Sequence, residues 1–146
     1  MARVLIVDDV AELRDLWTML LREDAYEVLA TADLASALTA AARQAPDLVL
    51  IDLSLPEDLR GGLIRYLRAS LDRAPHIVAL ASSAREAKAA RAAGADAVLV
   101  RPVDISAVVT ATRSLLGSPV TAPGARGQRM DLLSPETAPG SYAGDR

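Results

Sequence analysis

Short apolar runs alternating with segments of helical spacing predict an α/β fold, a doubly wound parallel sheet of five strands built in the order (βα)5. Three observations carry this expectation. The apolar runs are short and mostly unalternated, as strands covered on both faces are. The segments between them repeat apolar residues at i, i+3, i+4 and i+7, so each offers one stripe to a sheet. The 146 residues suffice for one core of ordinary size, and five strands cannot close an eight-stranded barrel. Right-handed crossovers then place helices on both faces of an open sheet.

The first strand is read at Arg3 to Val7, and the first helix from the stripe Leu13, Leu16, Trp17, Leu20 and Leu21. A weaker run, Tyr26 to Thr31, precedes a second stripe of Leu34, Ala37, Leu38 and Ala41. Leu48 to Ile51 is the third strand, and the third helix is read at Leu59 to Leu71. Ile77 to Ala81 leads into AREAKAARAAG, an alanine-rich helix that closes at Gly94. Ala97 to Val100 is the fifth strand. The last helix starts after Asp104, a good N-cap, and is expected to bury Ile105, Val108, Val109 and Leu116. Beyond Leu116 five glycines and four prolines interrupt any apolar period, so residues 1–116 are read as the domain and 117–146 as a flexible tail. Within that tail Met130, Leu132 and Leu133 form a small apolar island.

The net charge of -3 and pI near 5.1 offer no general attraction to a phosphate backbone, so no direct nucleic-acid contact is expected. Without cysteine, disulfides, thiol catalysis and thiolate metal sites are excluded, and the lone His76 cannot build a histidine-rich metal site. Any metal must be a hard cation held by oxygen. MARVLIVDDV sets two carboxylates directly after a short apolar run, unlike a signal peptide, and no run approaches the roughly 20 residues of a membrane span. The expectation is a cytoplasmic protein with no membrane partner.

Asp8 and Asp9 follow the first strand and Asp52 follows the third. With those strands adjacent, the three carboxylates converge at the carboxyl edge of the sheet, where ligands of such folds sit. Gathered like charges raise one another's pKa unless a cation is present, so the cluster predicts a divalent ion, and oxygen ligands that leave room for water point to Mg²⁺. The competing reading makes Asp8 and Asp9 caps of the first helix and Asp52 an ordinary loop residue. Neither VLIVDDV nor LVLIDLSLP contains a lysine or arginine to neutralise them, which favours the site. A carboxylate beside Mg²⁺ acts as a nucleophile toward a phosphoryl group and yields an acyl phosphate.

VLIVDD, PDLVLIDLSLP and AAGADAVLVRPVD together resemble the receiver domain of bacterial two-component response regulators, over Ala2 to Leu116. The resemblance implies a flavodoxin-like strand order 2-1-3-4-5. It makes Asp52 the phosphoacceptor, places Asp8, Asp9 and Asp52 at Mg²⁺, and has Ser54 lend its backbone carbonyl to the ion. It also implies a signalling domain rather than an enzyme, beyond its own phosphorylation and dephosphorylation. The phosphate would come from a histidine kinase or phosphotransfer protein, and the output would pass through contact with a downstream protein. A homodimer is left open, as is whether the chain stands alone or belongs to a larger protein.

The chain also departs from that family. Arg101, before Pro102, stands where a lysine is usual, and a forked guanidinium contacts phosphate differently from a compact ammonium. The hydroxyl that usually ends the fourth strand is replaced by Ala81, with Ser82 next; Ser82 either donates to a phosphate oxygen or, with Ser83, caps the fourth helix. Val98 occupies the place of a rotating aromatic ring, and PEDLRGG holds one or two extra residues before its glycine. Two other functions compete: an atypical receiver that binds protein without phosphorylation, and a Mg²⁺-dependent phosphatase with an aspartyl nucleophile. The latter usually carries Asp-x-Asp after its first strand, whereas here the pair is adjacent. Trp17 is expected in the core and His76 at the surface.

Overall fold

The computed structural model describes residues 1–54, 57–70 and 73–117, without the side chains of 57–61 and 70. The tail expected at 117–146, with its apolar island, therefore lies outside the described residues except for Gly117, as do the third helix's expected end at Leu71 and Pro56 of the PEDLRGG loop. The elements run β1 (Arg3–Val7), α1 (Ala11–Glu23), β2 (Glu27–Thr31), α2 (Leu34–Arg43), β3 (Leu48–Asp52), α3 (Glu57–Ser70), β4 (His76–Ala81), α4 (Ala84–Ala93), β5 (Ala97–Val100) and α5 (Ile105–Leu116). All strands are parallel in the order β2-β1-β3-β4-β5, the order the resemblance implied.

Period-two alternation divides the core between the two faces. Leu5, Val7, Val49, Ile51, Ile77 and Ala79 face α2, α3 and α4, which supply Ala37, Ala41, Leu63, Ile64, Leu67 and Ala87. Val4, Ile6, Leu48, Leu50, Val78 and Leu80 face α1 and α5, which supply Trp17, Leu21 and Val108. Every residue of β3 is buried, because it lies in the middle of the sheet with helices on both sides.

Side-chain caps start α2, α4 and α5: Asp33 accepts from Ser36 N–H, Ser83 from Glu86 N–H and Asp104 from Ser106 N–H. Gly94 ends α4 at φ 121°, and a Cβ there would lie 3.1 Å from Cγ of Arg68, whose Nε donates to the Gly94 carbonyl at 2.8 Å. On α5, Val108 is buried as expected, but Ile105 is 43% exposed and Val109 and Leu116 only half-buried. The helix packs mainly against β4 and β5.

At the amino edge of the sheet one device occurs twice. Asp47, just before β3, donates its N–H to the Arg3 carbonyl and accepts the Arg3 N–H at 2.7 Å. Asp96, just before β5, donates to the Ile77 carbonyl and accepts the Ile77 N–H, also at 2.7 Å. Each carboxylate satisfies an N–H near the start of a neighbouring strand, Arg3 opening β1 and Ile77 standing second in β4, and is paired with an arginine, Arg73 and Arg68 respectively.

Candidate functional site

The opposite edge is built by register. Val7 pairs with Ile51, so Asp8 and Asp52 leave adjacent strands at the same level, and Asp52 in turn pairs with Leu80 of β4. Both carboxylates are 1% exposed. Arg101 N–H donates to the Ala81 carbonyl at 2.8 Å, which continues the β4–β5 ladder by one residue and brings the Arg101 side chain to the same edge. The sequence-predicted Asp8, Asp52 and Arg101 are thus brought together by three neighbouring strands.

Asp52 has both oxygens engaged. Oδ1 accepts the Ser54 N–H at 2.9 Å, and Oδ2 pairs with Nη2 of Arg101. Arg101 is therefore no freely solvated arginine; its side chain is 30% exposed and ends on the buried carboxylate. Asp8 is less well provided. Its Oδ1 accepts the Val10 N–H at 2.9 Å, while Oδ2 is buried with no hydrogen-bond partner among the described residues. Burial pushes the Asp8 carboxyl up to about 6, opposed by the Val10 N–H and reinforced by the neighbouring Asp52 charge, with a smaller downward pull from the Trp17 indole. Burial, more than the neighbouring carboxylate, is what raises Asp8.

Asp9 lies on the exposed side, where its Oδ1 accepts from Ser54 Oγ at 3.4 Å. Neither Asp8 nor Asp9 caps α1: its N-cap is Val10, with no side-chain bond. Among the described residues no three acidic groups close into a ready metal cage. Asp9 is turned to solvent and a guanidinium holds one oxygen of Asp52. A buried, unpartnered Asp8 oxygen beside Asp52, with Asp9 at the rim, fits a small hard cation that completes its octahedron with water.

The strand-end residues resolve in part. Ala81 is buried at the end of β4, and Ser82 is exposed beyond it, its N–H donating to Glu86 Oε1 at 2.8 Å. Ser83, not Ser82, supplies the side-chain cap of α4. Val98 is half-buried and pairs with Ala79. His76 is at the surface, as expected. Sequence reasoning missed two contributors: the Ser54 side chain, which reaches Asp9, and Arg14, whose Nη1 donates to the Asp8 carbonyl at 2.9 Å. Arg14 stands six residues after Asp8 across the turn into α1, and such spacing carries no recognisable pattern before the turn is known.

This architecture agrees with three comparisons. The response regulator receiver domain family matches residues 4–113. A probable transcriptional regulatory protein of Mycobacterium tuberculosis, TcrX, is 34% identical over 114 residues, covering 77% of this chain and 49% of that protein. The transcriptional regulatory protein PdtaR of the same species is 38% identical over 112 residues, covering 75% and 54%. The chain spans about half the length of these curated relatives. The structure of a response regulator receiver domain from Methylobacillus flagellatus superposes with a TM-score of 0.69 at 26% identity, covering 79% of this chain and 98% of that one. A match over three quarters of the sequence, on a five-stranded sheet of the same kind, decides the family: the chain belongs to the receiver domains of two-component response regulators.

Proposed function

We propose that this domain accepts a phosphoryl group on Asp52 from a phosphohistidine of a kinase or phosphotransfer protein, with Mg²⁺ held by Asp8, Asp9, Asp52 and the Ser54 carbonyl. The observation that carries the reading is Asp52 itself, a buried carboxylate at a central strand end whose oxygens are fixed by the Ser54 N–H and Arg101. Mg²⁺, when bound, offsets charge on the transferring oxygens and aligns them. An Asp52 oxygen forms the new bond to phosphorus as the P–N bond to the donor imidazole breaks, and the imidazole leaves with a proton. Ser54 N–H holds the carboxylate against rotation during attack, and Arg101 moves its pairing from carboxylate to phosphate oxygen. Water later cleaves the acyl phosphate and restores Asp52. Output passes to a downstream protein, in the cytoplasm where such donors present their histidine; the matched region makes up only about half of each relative called a transcriptional regulator.

Intact mass after treatment with acetyl phosphate and Mg²⁺ tests this. One phosphoryl adduct is expected on the wild type, none with chelator, and none on Asp52→Asn; an equal adduct on Asp52→Asn removes Asp52 as the acceptor. A second reading, protein binding without phosphorylation, draws on Ala81 and Val98 at the positions where the family resemblance implies a hydroxyl and a ring. It predicts no adduct on the wild type.

A further inference from the structure

The core tryptophan has a polar end that the packing leaves unused. Trp17 is 4% exposed and lies with Val4, Ile6, Leu50 and Leu80 on the α1 side of the sheet. Its Nε1–H is buried without a hydrogen-bond partner, although a buried indole N–H usually finds one. Asp8 Oδ2 is buried and unpartnered as well. An indole only donates and a carboxylate oxygen accepts, so the two orphans are complementary.

The fold brings them toward each other. α1 starts beside the carboxyl edge and runs back along the sheet, and helical side chains tilt toward the helix N-terminus. A ring as long as indole, mounted on the second turn, therefore extends back toward the end of β1.

We propose that Trp17 is a positioning residue for the cation site, its indole N–H closing on Asp8 Oδ2 while Val10 N–H holds Oδ1. With one donor on each oxygen the carboxylate plane is fixed and its remaining lone pairs are turned toward Asp52. Donors of this kind behind a metal ligand typically alter affinity by about 10- to 100-fold when removed. A phenylalanine would fill most of the same space and donate nothing. This inference rests on the Mg²⁺ reading of the site, so its test separates the two.

The chain contains one tryptophan, so its indole N–H gives a single NMR resonance. In chelator that resonance should move on Asp8→Asn, and in the wild type it should move on titration with Mg²⁺. Calorimetry should show Mg²⁺ binding weakened about tenfold in Trp17→Phe. Leu21→Val, which trims the same core cluster away from Asp8, should bind as the wild type does. An indole resonance indifferent to both Asp8→Asn and Mg²⁺ overturns the proposal, and this arm needs no folded Trp17 variant. So does wild-type affinity in Trp17→Phe, or an equal loss in Leu21→Val. A wild type that binds no Mg²⁺ overturns the metal reading itself, and the positioning role with it.

Discussion

The two edges of the sheet use the same residue type to opposite ends. At the amino edge, Asp47 and Asp96 each accept an N–H near the start of a strand and pair with an arginine, and none of their oxygens is buried and idle. At the carboxyl edge, Asp8 is less exposed than either, keeps an unpartnered oxygen and has its pKa pushed up to about 6 by burial. The first arrangement closes the fold; the second leaves coordinating capacity unspent at a cost in stability. Aspartate at a strand end is therefore no sign of function in itself. What distinguishes the two edges is whether the carboxylate's oxygens are already satisfied.

The comparison breaks most visibly if the amino-edge aspartates prove dispensable. Asp96→Ala strips the acceptor from the Ile77 N–H, on a residue that is fully buried, and leaves Arg68 without its carboxylate. A charged hydrogen bond lost with a buried donor left behind costs about 2–3 kcal/mol. Urea denaturation should show that loss, with Mg²⁺ binding unchanged. Asp47→Ala should cost less, because Arg73 is 68% exposed and its ion pair is screened. A loss below about 0.5 kcal/mol for Asp96→Ala would mean that the clamp is ornamental.

At the other edge the sign reverses. The folded-state pKa of Asp8 lies above its unfolded value, so the native protein binds that proton more tightly, and stability falls as pH rises from about 4 through about 6. In chelator, Asp8→Asn keeps an acceptor for the Val10 N–H and removes the buried charge beside Asp52. It should stabilise the protein by on the order of 1–2 kcal/mol at pH 7.5, with the gain vanishing near pH 4. Thermal melts of both proteins across that range check it. A destabilised Asp8→Asn at pH 7.5 would show that the carboxylate's hydrogen bonds outweigh the cost of burying its charge.

This contrast also explains what was legible in the chain. Strand positions were readable because burial on both faces leaves no alternation, and β1, β3, β4 and β5 lie within a residue of their apolar runs. Asp8, Asp9, Asp52 and Arg101 were readable because each lies at or just past the carboxyl end of a strand, so topology alone brings them to one edge. The clamps were not: Asp47 and Asp96 also adjoin strands, but their partners, Arg3 and Ile77, are 44 and 19 residues away. The exposure of Ile105 was hidden for the same kind of reason. Helical period says which residues share a face, not how far the sheet extends beneath it. The division of labour between Ser82 and Ser83 turns on one backbone residue at the start of α4.

The smallest effect expected is the one that travels farthest. In the family this chain resembles, a hydroxyl drawn to the phosphate vacates space that an aromatic ring fills, which turns a charge at the site into a change of surface. Here Ala81 is buried at the end of β4 and offers only a methyl, while Val98, beside Ala79, has no ring to swing. A ligand shifts an equilibrium only between states it contacts differently. Ser82, exposed beyond the strand, carries the nearest hydroxyl in sequence, but no ring accompanies it at Val98. The Arg101 N–H, bonded to the Ala81 carbonyl, ties the arginine that pairs with Asp52 to the same strand end, which resists movement of one without the other. Amide shifts on adding fluoroberyllate with Mg²⁺ should therefore cluster around Asp8, Asp9, Asp52 and Arg101, and fade before Val98 and α5. Strong perturbation running through Val98 and along Ile105 to Leu116 would show that the unsatisfied edge drives the distant face by a route other than a hydroxyl and a ring.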